Sequence, residues 1–297
     1  TTETTEPPAA TGYTYRIAIF SDPTTDNPWA ALDTENDVWT EYVNPDMGSL
    51  YAYQPLTYTV VPLLAADPSP PAIEADGDNW SVTVNLRDDV TWSDGEPMDA
   101  NDVVFTVETI QKYNGLGGNF PSQWPLATDP VEDDPATEED ETAPAGNGIV
   151  SAEAIDDLTV KITFNFEAGL AVLPFSVGVA SVFPEHVWGP IVDENDTFEG
   201  MYSTSGLGTA NATGFVSSER EPGAFWRNER VDDFWDSGSN YRVYSNGAVE
   251  YVTEDGSSFT FGGEADGEVV AEIGPGAIVG ERALLEGGAR GDRRTRW

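Results

Sequence analysis

The sequence predicts an α/β fold with a mixed sheet, followed by a short β-rich C-terminal segment. Three observations carry this. Residues 80–86 (WSVTVNL) and 158–166 (LTVKITFNF) alternate apolar and polar positions with the period of a half-buried strand. From Asp99, apolar residues recur at helical spacing in Val103, Val107 and Ile110, with Val104 beside them. From residue 241 onward, short apolar runs alternate with turns marked by Gly247, Asp255-Gly256, Gly262-Gly263, Gly274 and Gly276.

In chain order, residues 1–12 (TTETTEPPAATG) are rich in Thr, Glu and Pro, the composition of a flexible stalk. Residues 13–20 (YTYRIAIF) read as a strand ending at Ser21-Asp22-Pro23. A weakly periodic stretch from Asn27-Pro28-Trp29 to Met47 precedes the apolar run 58–65 (YTVVPLLA). After the strand at 80–86 come a second short strand at 90–92 and a turn at Asp94-Gly95. Asp99 can then cap a helix, with Asp102 three residues later, and both carboxylates suit the positive end of its dipole. Gly115 ends the helical pattern. Residues 128–146 form an acidic, proline-containing loop, and 149–166 read as a hairpin. Residues 170–182 read as a helix or buried segment, 203–214 as a loop, and 225–235 carry four aromatics. The organisation expected is a stalk at 1–12, a lobe at 13–238 containing the acidic loop, and a β segment at 239–297.

A 297-residue chain with 39% hydrophobic residues and nine Trp has enough apolar material to fold. Its net charge of −40 comes from 53 acidic residues against 13 basic ones, of which only Lys112 and Lys161 are lysines. Nucleic acid and anionic lipid are therefore excluded as expected partners, since both are held by basic patches. The charge suits a salty or extracellular solvent, and a halophilic source fits it. There is no cysteine and one histidine, His186, which removes disulfides, thiolate chemistry, histidine-based triads and multi-histidine metal sites. No enzyme activity, cofactor or metal is expected. The longest apolar run, 170–183, is too short and too interrupted by Pro174 to span a bilayer.

Residues 80–113 (WSVTVNLRDDVTWSDGEPMDANDVVFTVETIQKY) place an alternating strand, Leu86-Arg87, Trp92, Ser93-Asp94-Gly95 and Asp102-Val103-Val104-Phe105 in one order. That order resembles the signature of the peptide/nickel class of extracellular solute-binding proteins of ABC importers. Asn27-Pro28, the run 62–65, 158–164, residues 184–188, Thr213-Gly214-Phe215, and Asn228 with Phe234-Trp235 follow in the family's order. The resemblance covers residues 13–235 and implies a periplasmic-binding-protein-like lobe. It also implies a peptide or related small solute as ligand, a membrane ABC permease as partner, and no bond broken. Family members carry a second lobe that has no counterpart here. The stalk is similar to the linker of surface lipoproteins, implying an extracellular or periplasmic, membrane-tethered location, although the lipidated cysteine is absent. Aromatic side chains make good walls for peptide side chains, and among the tryptophans Trp29, Trp124 and Trp188 are the candidate solute contacts.

Residues 241–290 resemble the latter part of a cyclic-nucleotide-binding domain, whose phosphate cassette here reads Gly280-Glu281-Arg282-Ala283-Leu284 and ends at Arg290. The resemblance implies a partial β-roll in which backbone N–H groups near Ala283 cradle a cyclic phosphate, Arg290 pairs with it and Glu281 accepts from the ribose. The roll's first strands have no counterpart before residue 241. Three functional classes thus stay open: a solute-binding lobe, a cyclic-nucleotide-sensing module, and a fused fragment with no intact site. Elsewhere the plain readings prevail. His186 is expected to be structural, the carboxylates at 138–141 lack the spacing of a calcium loop and are expected to be solvated, and Arg290-Gly291-Asp292 is a chance match to an adhesion tripeptide.

Overall fold

The computed structural model describes residues 16–31, 40, 43–44, 47–53, 60–113, 123–129, 145–169, 172–236, 240–252, 256, 258–261 and 263–273. A short helix, α1 (Pro28–Ala31), precedes an antiparallel ribbon of β1 (Tyr51–Tyr53) and β2 (Val60–Pro62). The central sheet holds β3 (Glu74–Asp76), β4 (Asn79–Asn85), β5 (Ile149–Asp156) and β6 (Thr159–Phe164) in the order β3-β4-β6-β5. Its register sets Trp80 opposite Phe164, Val82 opposite Ile162 and Val84 opposite Val160. One face is therefore apolar and, beyond half-buried Trp80, fully buried. Thr83 and Lys161 share the other face, where Lys161 reaches Asp76 at 2.6 Å. The alternation visible in the sequence is thus the pleat itself. These strands all pair antiparallel, and the parallel part of the predicted mixed sheet is a single bridge between Leu126 and Ile149.

Helix α2 (Ala100–Lys112) lies against this sheet with Val103, Val107 and Ile110 buried. Asp99 caps it as expected, accepting from the Asn101 N–H, and Asp102 completes the reciprocal box from the third helical position. Beyond the sheet come α3 (Val172–Phe175), a 3₁₀ turn at Val177–Val179, α4 (Glu185–Glu194) and α5 (Phe198–Tyr202). A hairpin of β7 (Phe215–Glu221) and β8 (Phe225–Arg230) follows. The chain then enters a second antiparallel sheet of β9 (Asn240–Tyr244), β10 (Val249–Val252), β11 (Ser258–Phe261) and β12 (Val269–Ile273), ordered β11-β10-β9-β12. Gly247, at φ +88°, closes the β9–β10 turn in a conformation that favours glycine.

Two expected strands change. Residues 16–20 belong to no strand, and Phe20 is 93% exposed, because alternation alone supplies no neighbouring edge to pair with. The strand expected at 90–92 shrinks to a bridge between Thr91 and Pro97 around the Asp94-Gly95 turn, whose Gly95 N–H returns to the Trp92 carbonyl at 2.8 Å.

Candidate functional site

The residues of the 80–113 block converge on one buried carboxylate. Asp102 is 5% exposed, and its Oδ2 accepts from the Trp92 indole N–H and the Asp99 backbone N–H, each at 3.0 Å. Its Oδ1 accepts from the Glu185 N–H at 2.8 Å. One turn along, the Thr106 hydroxyl accepts from the Phe183 N–H at 2.9 Å while donating to the Asp102 carbonyl at 2.8 Å. Two side chains of α2 thereby hold both N–H groups flanking Pro184, and so set the entry of α4. Burial pushes the Asp102 carboxyl above the usual carboxylate range, a shift that the Glu185, Asp99 and Trp92 donors reduce but do not cancel. His186 extends the same joint at the surface, where its Nε2 lies 2.9 Å from Asp94 Oδ2, a structural bridge between the turn and α4.

The three tryptophans proposed as solute contacts are fully buried, each at 0% exposure. Trp29 stacks on Phe183 with centroids 3.6 Å apart and meets the edges of Phe105 and Trp188 at 6.3 and 6.4 Å. Trp124 lies in the same core and donates its indole N–H to the Ser181 carbonyl at 3.2 Å. In this lobe all three pack the interior, because large flat side chains gain most where both faces are covered.

Asn27, of the Asn27-Pro28 match, and Asp26, which the sequence did not single out, stitch the N-terminal segment to the distant part of the lobe. Asn27 accepts from the Trp29 and Ala30 N–H groups through Oδ1 and donates through Nδ2 to the carbonyls of Met201 and Thr204, both at 2.9 Å. Asp26 accepts from the Gly206 N–H at 3.0 Å and faces Arg220, which also donates to the Pro23 carbonyl. Beside this seam a small pocket is lined by Asp26, Pro28, Asn44, Met47, Gly206 and Asn211, among others. Its interior, about 10 Å³, has room for little more than one water, and its polar groups are largely engaged with one another. It is a packing seam.

A third junction joins the C-terminal sheet to the lobe. Arg87 lies 4.7 Å over the Trp235 ring, pairs with Asp89 through two hydrogen bonds of 2.8 and 2.7 Å, and contacts Tyr251. Burial opposes its charge, but Asp89 and Tyr251 outweigh burial and hold the guanidinium protonated. Tyr251 is 4% exposed, packs on Val61, Ala52 and Tyr241, and donates to Asp236. Burial also pushes the Tyr241 hydroxyl up. The cassette residues Gly280, Glu281, Ala283, Leu284 and Arg290 lie outside the described residues, as do the carboxylates at 138–141 and the stalk at 1–12. Among the described residues no group of three or more carboxylate, histidine or cysteine side chains could hold a metal ion, and no helix is long and apolar enough to cross a membrane.

Comparison with known proteins places these features. A "Probable ABC transporter-binding protein" of Deinococcus radiodurans is 25% identical over 181 residues, covering 61% of this chain and 25% of the relative. A mannohexaose-bound periplasmic oligopeptide-binding protein of Thermotoga maritima superposes with a TM-score of 0.49 at 19% identity, over 73% of this chain and 33% of its own. The nonapeptide-bound AppA of Bacillus subtilis gives 0.46 at 20% identity over 72% and 36%, and the Fe(III)-EDTA-bound NikA of Brucella suis gives 0.47 at 21% over 73% and 36%. The chain thus spans about a quarter to a third of the length of these proteins. Residues 59–257, more than half of the chain, match the model of the bacterial extracellular solute-binding proteins, family 5 (middle), and the chain belongs to that family of binding proteins.

Proposed function

We propose that this chain is part of the extracellular solute-binding component of an ABC importer and takes a peptide or a related small solute. The observation that carries this reading is the family match over residues 59–257, which contains the whole Asp102-centred joint. That joint fixes a β-bridge, a turn and two helices in one frame, the rigid support on which a binding site is built. The permease in the membrane is the expected partner. An extracellular or periplasmic site, with residues 1–12 as the tether of a lipoprotein, fits the acidic charge and the Thr/Glu/Pro composition of that stretch.

A second reading has one observation in its favour. The four antiparallel strands β9 to β12, with a glycine turn between the first two, precede Gly280-Glu281 and Arg290 in the sequence, the order expected of a cyclic-nucleotide cassette. Thermal-shift titration separates the two. A specific site raises the melting temperature as ligand exceeds its dissociation constant, by about 2.7 kcal/mol of stability at a hundredfold excess. Peptides are expected to stabilise the protein. If cAMP or cGMP does so instead, and Arg290→Ala abolishes the effect, the import reading yields to the sensor reading. If neither class stabilises it, both readings fail and the chain is a fragment without an intact site.

A further inference from the structure

The ribbon of β7 and β8 ends in an open edge. It is a sheet of two strands, and the side chains of β8 stand exposed except for half-buried Trp226. On β7 the Ser217 carbonyl accepts from the Gly208 N–H at 2.7 Å and so points away from β8. Ser217 and the Asn228 opposite it therefore form a non-hydrogen-bonded pair, and Asn228 turns its own N–H and carbonyl outward. Val231, three residues on, donates its N–H inward to the Gly214 carbonyl at 2.9 Å, as that alternation requires. Trp226, Asn228 and Arg230 then share the outward direction, and among the described residues no backbone group receives theirs. Such a row is a template for another strand. The Asn228 side chain donates to the Val43 carbonyl at 2.8 Å, which holds the edge extended before any partner arrives.

The charges along this edge select its partner. The chain carries −40, yet the ribbon is neutral, with Arg220, Arg227 and Arg230 against Glu219, Glu221 and Glu229. Two copies of the chain repel over most of their surface and least here. Antiparallel pairing of β8 with itself about a two-fold axis at Asn228 sets Arg227 opposite the partner's Glu229 and Trp226 opposite the partner's Arg230, each pair occurring twice. Among the described residues Glu229 and Arg230 have no ion-pair partner of their own. Arg227, 2.5 Å from Glu219 on β7, then stands between two carboxylates on one sheet face. A slip of one residue loses both ion pairs and misaligns the outward groups. The contact is isologous and closes at two copies. We propose that β8 pairs antiparallel with β8 of a second copy of this chain, joining two ribbons into one four-stranded sheet.

The test is sedimentation equilibrium of the full chain, in about 0.5 M salt to screen the repulsion between two acidic bodies. Wild type is expected to show a monomer–dimer equilibrium with no larger species. Glu229→Arg sets arginine opposite arginine at both paired positions, and Arg227→Glu sets glutamate opposite glutamate. Each variant alone is expected to raise the dimer dissociation constant about 5- to 30-fold. The melting temperature of dilute Glu229→Arg is expected to match wild type, because that side chain is exposed. A mixture of the two variants restores both ion pairs in a mixed dimer and is expected to recover association, which misfolding of either variant could not produce. A wild-type chain that stays monomeric at hundreds of micromolar, a dimer that neither substitution weakens, or a mixture that associates no better than its components overturns the proposal. Each of these leaves the solute-binding reading standing, since peptide titration tests that reading separately.

Discussion

Removing the Asp102 side chain tests whether the block at 80–113 works as a joint. Asp102→Ala leaves three N–H donors without their acceptor: the Trp92 indole and the Glu185 and Asp99 amides, at 3.0, 2.8 and 3.0 Å in the intact protein. A buried donor left unsatisfied costs about 1–3 kcal/mol, and deleting the buried carboxylate returns part of that sum through relieved desolvation. The net loss is about 3–5 kcal/mol. For a unit of about 200 residues each kcal/mol lowers the melting temperature by about 2–4 °C, so a fall of about 10 °C is expected. Differential scanning calorimetry of the folded variant, with far-UV circular dichroism to verify its secondary structure, measures this. Hydrogen exchange should show its largest gain in the first turn of α4, which loses the Glu185 contact. A fall below about 2 °C would refute the reasoning, because it would mean that water or a neighbouring group satisfies all three donors at no cost.

Three further outcomes follow from the same geometry. Because burial raises the folded-state pKa of Asp102, its proton-linked stability is present below the ordinary carboxylate range and lost as pH rises through the raised value. The stability advantage of wild type over Asp102→Asn, taken from urea midpoints, should therefore narrow from acid to neutral pH, and a widening gap contradicts the assignment. Arg87→Ala removes the contact over Trp235 and the paired hydrogen bonds to Asp89, costing about 1–3 kcal/mol, and should speed hydrogen exchange in β9 and β10. Unchanged exchange there would show that the C-terminal sheet is held by other contacts. Gly206→Ala places a Cβ against the Asp26 carbonyl and 2.5 Å from the Pro28 ring, so a loss of about 1–3 kcal/mol is expected in thermal melts, and a neutral result would mean that the seam yields freely.

What was legible in the sequence was local. Val82, Val84, Val160 and Ile162 declare their shared face by alternation, and Asp99 with Asp102 declares a helix start by chemistry and spacing. The family followed from the order of such local features, which survives divergence because each is enforced by its own backbone geometry. Tertiary partners were not legible. Asp102 reads as a cap, yet its second oxygen serves Glu185, 83 residues away. Helix α4 carries no clear helical signal in the sequence, because Pro190 sits inside it, and in the fold the packing of Trp188 and Val192 sustains it. Trp29, Trp124 and Trp188 look like cleft walls by composition, and composition does not distinguish a wall from a core. Tyr53 and Phe175 come together because β1 packs against the 3₁₀ turn that follows α3.

Solute binding itself is the central claim, and native mass spectrometry of the intact chain incubated with a defined mixture of short peptides tests it most directly. The account predicts a one-to-one peptide adduct that saturates as peptide is added. A spectrum that shows only the unliganded chain, at peptide concentrations of hundreds of micromolar and under conditions that preserve its folded charge states, contradicts it.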